Sequence, residues 1–100
     1  MNTLKISPDE LIKRLKAKSW NITQPFKEYP EIIQIQSELE PGELGKTQEH
    51  LLGYYYVQEI TSMMPILALA PKPDEILLDL CAAPGSKTTQ AAAKMENKGT

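Results

Sequence analysis

The sequence predicts an α/β fold in which a buried parallel strand leads through a tight turn into a helix. Residues 76–80 are apolar apart from Asp79, and such a run is typical of a strand that is covered on both faces. Pro84 and Gly85 then mark a turn, and the alanine-rich residues 86–95 have a helix-forming composition. The order strand, turn, helix therefore organises the second half of the chain.

The bulk composition excludes several classes of protein. The 100 residues are 41% apolar and 24% charged, with a formal net charge of -2, so no strong global field would attract nucleic acid. A single cysteine excludes an intrachain disulfide and favours a reducing, cytoplasmic location. The N-terminus lacks the apolar core of a signal peptide. The longest apolar stretch, residues 63–70, is too short to span a bilayer, so no membrane association is expected.

A helix is predicted to begin at Pro8. Ser7 is a capping residue, Pro8 suits the first helical position and Glu10 completes a capping box. The helix is expected to end near Lys18, with an apolar stripe formed by Leu11, Ile12 and Leu15.

Charge is spread unevenly, with net values of +3 for residues 1–20, -4 for residues 21–50 and -1 for residues 51–100. The basic end contains Lys13, Arg14, Lys16 and Lys18 on the first helix. This face is either an ordinary solvated surface or a contact for an RNA backbone, and the solvated surface is the commoner case.

Residues 1–50 are expected to form a small α+β segment. Trp20–Thr23 and Ile32–Gln36 have the composition of short strands, and the acidic residues 37–50, which contain a proline and two glycines, indicate a loop or linker. His50 is the only histidine and precedes two leucines. A structural role is the simpler interpretation, and a catalytic role is the alternative.

Residues 51–100 are expected to begin a second domain. The tyrosines of Tyr54–Val57 are more simply interpreted as core or interface packing, and the alternative is that they stack on nucleic-acid bases. Residues 58–70 predict a helix, which Pro65 would kink or divide.

Three ligand-binding interpretations compete for the central turn. A Walker A loop is excluded because it requires glycines at the positions of Cys81 and Ser86. A dinucleotide-binding fingerprint is excluded because it requires three glycines and only Gly85 is present. The third interpretation is an adenosylmethionine loop, in which Asp79 ends the strand and small residues follow. Amides that open the next helix, together with Lys87, would then receive the donor's carboxylate. An ordinary turn without a ligand remains the alternative.

Two segments resemble the Sun/nucleolar-protein family of RNA cytosine-5 methyltransferases, in particular its archaeal tRNA-modifying members. LLDLCAAPGSKTTQ, at residues 77–90, is similar to motif I of that family, and HLLGYYYVQEITSMMPILAL, at residues 50–69, is similar to its lead-in. The family usually has a second glycine where this chain has Ser86. The resemblance covers residues 41–100 well and residues 1–40 loosely.

The resemblance implies a Rossmann-like class I methyltransferase domain that begins within residues 51–100 and methylates carbon 5 of cytosine in RNA, with tRNA as the expected substrate. S-adenosylmethionine is the implied cofactor, and no metal is implied. The implied cofactor-binding residues are Cys81, Ala82, Ala83, Pro84, Gly85, Ser86 and Lys87.

The family's nucleophilic cysteine and assisting aspartate lie in motifs well downstream of motif I, so no catalytic residue is assigned within these 100 residues. Cys81 lies inside the cofactor loop and should not be the nucleophile. The chain is therefore expected to be the N-terminal part of a longer enzyme, inactive by itself. The alternatives are a ribose 2′-O-methyltransferase and a non-catalytic RNA-binding module.

Overall fold

A computed structural model describes all residues from Met1 to Thr100, and the chain divides into two compact units. They span Met1–Val57 and Gln58–Thr100, and a domain boundary after residue 50 stays a prediction. The first unit contains α1 (Pro8–Ala17), β1 (Ile22–Thr23), β2 (Gln34–Ile35), a 3-10 helix (Glu43–Lys46) and α2 (Gln48–Leu51). The second contains α3 (Ile60–Leu69) and α4 (Ser86–Lys94).

The predicted start of α1 is confirmed. Ser7 is the N-cap, and its hydroxyl accepts a hydrogen bond from the amide of Glu10 at 3.4 Å. The predicted apolar stripe faces inward, where Leu11 and Leu15 are buried in one cluster with Ile6. Burial of this face, more than helix propensity, stabilises so short a helix.

We expect Ser7→Ala to destabilise the first unit by about 1 kcal/mol, because the variant loses a side-chain cap at an amide that has no partner within the helix. Trp20 is the only tryptophan and packs against the α1 cluster, so its fluorescence during urea unfolding reports on this unit. Ser7→Thr, which keeps a hydroxyl, is the matched control. An unchanged midpoint in the alanine variant would contradict the capping role.

The two predicted strands form a short antiparallel pair. Ile22 lies opposite Ile35, and Thr23 lies opposite Gln34. The paired region is two residues long on each side, shorter than predicted. The predicted alternation is present in β2, where Ile35 is half-buried and Gln34 is exposed.

Residues 37–50 correct the prediction of a loop or linker. The 3-10 helix and α2 fall within or begin in this stretch, and Thr47 caps α2 by accepting a hydrogen bond from the amide of His50 at 3.0 Å. Glu49 is only 5% exposed because Lys18 and Arg14 of α1 lie at 3.3 and 3.9 Å from its carboxylate. A buried carboxylate requires such partners. Glu49, one of the acidic residues that suggested a linker, instead forms ion pairs with the basic helix α1.

In the second unit, α3 packs against α4. The buried side chains of this unit's two helices and their ends are Met63, Ile66, Leu67, Ala91 and Met95. Pro65 lies inside α3, which continues from Ile60 to Leu69, so the proline does not divide the helix, and a kink at Pro65 stays a prediction.

Contrary to the prediction, residues 76–80 form no strand in this structure and are not buried. Ile76, Leu78 and Leu80 are 86%, 81% and 87% exposed. The physical reason is that a strand is buried only when neighbours cover it, and only the end of the chain lies beside this segment. The Thr100 amide donates to the Glu75 carbonyl at 3.1 Å, and the Leu77 amide donates to the Thr100 carbonyl at 2.7 Å.

These two hydrogen bonds have the pattern of a parallel ladder, because one residue bonds to positions on either side of its opposite neighbour. Gly99, with φ 114°, precedes the pairing residue. A Cβ at Gly99 would collide with the Glu75 carbonyl, so glycine permits the close approach. The two hydrogen bonds thus place Thr100 beside residues 75–77 in a parallel arrangement.

Candidate functional site

The central turn connects residues 76–80 to α4 (Ser86–Lys94). Residues 81–84 are exposed, and Gly85, Ser86 and Lys87 are half-buried. Gly85 is the N-cap of α4 and has φ 120°, a conformation that favours glycine. The structure thus places the seven predicted cofactor-binding residues in one continuous turn that ends in the first turn of α4.

Asp79 braces this turn through both of its carboxylate oxygens. One oxygen accepts a hydrogen bond from the Cys81 amide at 2.8 Å, and the other accepts one from the Thr88 hydroxyl at 2.5 Å. The Thr88 hydrogen bond, followed by the Cys81 amide and the charge of Lys87, holds the pKa of Asp79 below its ordinary value. Asp79 is therefore anionic at neutral pH, and it ties the end of the extended segment to α4.

A set of main-chain amides in the turn has no acceptor within the chain. The Cys81 amide bonds to Asp79, and the Thr89 amide bonds to the Gly85 carbonyl at 2.9 Å. The intervening amides of Ala82, Ala83, Gly85, Ser86, Lys87 and Thr88 have no such bond. Amides that open a helix carry a partial positive charge and bind anions.

Gly85 has no neighbour that a side chain would strike. A Cβ built there would meet the Ala82 carbonyl and a methyl of Thr89 at 3.9 Å, which is ordinary van der Waals contact. Lys87 adds a positive charge beside the free amides. These residues fit a carboxylate-bearing cofactor such as S-adenosylmethionine, whose methionine end is anionic at its carboxylate.

Two residues of the site were not singled out from the sequence. Thr88 bonds to Asp79, and Gln90 donates from its side-chain amide to the Met63 carbonyl at 3.1 Å, which fastens α4 to α3. Both lie in the first turns of a predicted helix, where hydroxyl and amide side chains ordinarily face solvent. Only the position of Thr88 relative to Asp79, nine residues away, could have suggested the contact.

The basic residues of α1 do not form one continuous free surface. Arg14 and Lys18 pair with Glu49, and the Arg14 guanidinium also lies 5.5 Å from the centre of the Tyr54 ring. Lys13 and Lys16 are exposed. The predicted RNA contact through all four cations would therefore compete with an internal ion pair.

The other aromatic residues of the first unit have structural contacts. Tyr54 and Tyr55 pack against the α1 cluster, and the Tyr55 hydroxyl donates to the Leu44 carbonyl at 2.6 Å. Burial raises the pKa of Tyr55, and the hydrogen bond with Thr47 only partly offsets this. The His50 ring lies 5.5 Å from that of Tyr55, as expected of a structural histidine.

The chain brings no three histidine, cysteine, aspartate or glutamate side chains together in a group that could hold a metal ion. None of its helices has the length and apolar character needed to cross a membrane.

Comparisons with known proteins give consistent results. Residues 66–100 match the family described as 16S rRNA methyltransferase RsmB/F. The chain is 42% identical over 102 aligned residues to ribosomal RNA small subunit methyltransferase F of Photobacterium profundum, and 46% identical to the protein of the same name from Vibrio cholerae. Each alignment covers 99% of this chain and 21% of the relative, so the chain spans about a fifth of the length of these proteins.

The fold also matches a solved structure. A methyltransferase homolog protein from Pyrococcus horikoshii superposes with a TM-score of 0.85 at 43% identity, over 99% of this chain and 32% of that one. The matched structures place the chain in the class I methyltransferase fold as its N-terminal part, as the resemblance implied.

Proposed function

We propose that this chain is part of an RNA cytosine-5 methyltransferase of the RsmB/F family, whose family model matches residues 66–100. The observation that carries the proposal is the turn at residues 81–87, where a motif shared with the family leaves its amides free. S-adenosylmethionine would supply the methyl group. The cytoplasm is the proposed location.

We assign the front of the cofactor site to the predicted residues. The amides of Gly85, Ser86 and Lys87 would receive the donor's carboxylate, and the Lys87 ammonium would favour the same charge. Small side chains at Cys81, Ala82 and Ala83 leave the backbone accessible, and Pro84 with Gly85 makes the bend. Asp79 is assigned a structural role and not a contact with the donor, because both of its carboxylate oxygens accept hydrogen bonds within the turn.

The proposed substrate is RNA. The bacterial relatives carry names that specify small-subunit ribosomal RNA. These names favour ribosomal RNA as the substrate over tRNA, which the sequence resemblance suggested. The target base must leave its stack to be reached. Neither ribose 2′-O-methylation nor a non-catalytic module is favoured by the names of the relatives.

The test is methyl transfer by the full-length protein with labelled S-adenosylmethionine. Small-subunit ribosomal RNA and tRNA are offered separately, and the digested nucleosides are analysed by mass spectrometry. We expect the label on carbon 5 of cytosine. Label on a ribose oxygen would establish the alternative reaction, and cofactor-independent RNA binding without transfer would establish the non-catalytic module.

We expect Cys81→Ala to keep methyl transfer within about threefold of the unsubstituted protein. The reason is that Cys81 contributes its amide to the Asp79 contact, and alanine retains that amide. Initial rates at saturating RNA and cofactor measure the effect. A loss of several orders of magnitude, with unchanged cofactor affinity, would show that the thiol attacks the base.

A further inference from the structure

Adjacent threonines at the start of α4 have different partners. The Thr88 hydroxyl donates to the Asp79 carboxylate at 2.5 Å, across nine residues of chain. The Thr89 hydroxyl donates to the Gly85 carbonyl at 2.7 Å, within its own helical turn. Only the first of these contacts joins the two sides of the cofactor turn.

We propose that Thr88 is a positioning residue for the methyl-donor turn. Its hydroxyl donates a hydrogen bond to Asp79, and Asp79 accepts another from the Cys81 amide. Together the two hydrogen bonds link the start of the turn to the first turn of α4. The free amides of Gly85–Lys87 then keep one orientation before the cofactor arrives. This inference rests on the proposed function, because it assigns Thr88 a role in the same site.

The chemistry of the contact supports this role. A hydrogen bond to an ionised carboxylate is stronger than one between neutral groups, and the contact also lowers the pKa of Asp79. The residues that it encloses, 81–84, are exposed, so burial contributes little to fixing their conformation. An ordered turn binds more tightly because less conformational entropy is lost on binding.

The test compares three variants of the full-length protein. Thr88→Val removes the hydroxyl and keeps the branched shape, Thr88→Ser keeps the hydroxyl, and Thr89→Val is the matched control at the next position. Calorimetry measures the Kd for S-adenosylmethionine. We expect the Kd to rise about tenfold in Thr88→Val, whereas Thr88→Ser and Thr89→Val should stay within about threefold of the unsubstituted protein.

A second measurement follows the Asp79 carboxyl by NMR titration without cofactor. We expect Thr88→Val to raise the pKa of Asp79 toward its ordinary value, and Thr88→Ser to leave it low. A positioning role is overturned if Thr88→Val binds the cofactor as tightly as the unsubstituted protein. It is also overturned if Thr88→Ser fails to rescue affinity, or if the pKa of Asp79 does not respond to the loss of the hydroxyl.

The two proposals fail in different ways. Absence of cofactor binding by the unsubstituted protein contradicts the proposed function and with it the role given to Thr88. Normal binding by the unsubstituted protein and by Thr88→Val contradicts the role of Thr88 alone.

Discussion

Gly85→Val should abolish measurable binding of S-adenosylmethionine to the full-length protein. Gly85 has φ 120°, where a side chain strains the backbone by roughly 1–3 kcal/mol. Relief of that strain would move the free amides out of the orientation proposed for the donor's carboxylate, and the branched side chain would stand beside those amides. Calorimetry on the full-length protein measures the effect.

Two controls separate these causes. Gly85→Ala shares the backbone strain but is smaller, so its affinity should fall less than that of the valine variant. Gly45→Val places the same side chain at a glycine in the 3-10 helix, where a Cβ meets nothing within 4 Å and the ligand turn is not involved. Unchanged affinity in Gly85→Val would remove the basis for placing the cofactor at this turn.

The largest loss of stability is expected from Leu11→Ala. Leu11 is only 1% exposed and lies in the cluster that joins α1 to the rest of the first unit. Truncation of such a leucine removes buried apolar surface and leaves a cavity, which costs about 2–5 kcal/mol. Urea unfolding followed by Trp20 fluorescence measures the change in the first unit.

Leu51→Ala is the matched control, because Leu51 is 78% exposed and its truncation should change stability by less than about 0.5 kcal/mol. Equal midpoints for the two variants would mean that the α1 cluster does not hold the unit together. A Leu11→Ala variant that is unfolded before urea is added would exceed the expected range and still locate the core at α1.

Local signals predicted α1, α3 and α4, but not the 3-10 helix or α2. The start of α1 follows from Ser7 and Pro8, whose effects act within one helical turn. The start of α4 at Ser86 follows from Pro84 and Gly85 for the same reason. The short strands were also located, although their paired length depends on the opposite strand and could not be read from either segment alone.

Predictions that depended on distant partners fared worse. The burial of residues 76–80 requires neighbouring strands, of which this chain supplies only the pairing at Thr100. The acidic composition of residues 37–50 suggested a linker. The ion pair between Glu49 and Lys18 could not be predicted, because Lys18 is far away in the sequence.

The candidate site shows the same division. The resemblance to motif I predicted a turn before a helix at residues 81–87, because a turn and a helix start have local sequence signals, and cofactor binding by those residues stays a prediction. The bracing of Asp79 by Thr88 was not predicted, because it depends on how the turn folds back. The low pKa of Asp79 follows mainly from that contact.

A crystal structure of the full-length protein with S-adenosylmethionine is the most direct test of the cofactor site. We predict that the donor's carboxylate lies at hydrogen-bonding distance, about 2.7–3.2 Å, from the amides of Gly85, Ser86 or Lys87, with Thr88 still bonded to Asp79. A donor bound elsewhere, or a turn filled by other parts of the polypeptide, would contradict the assignment.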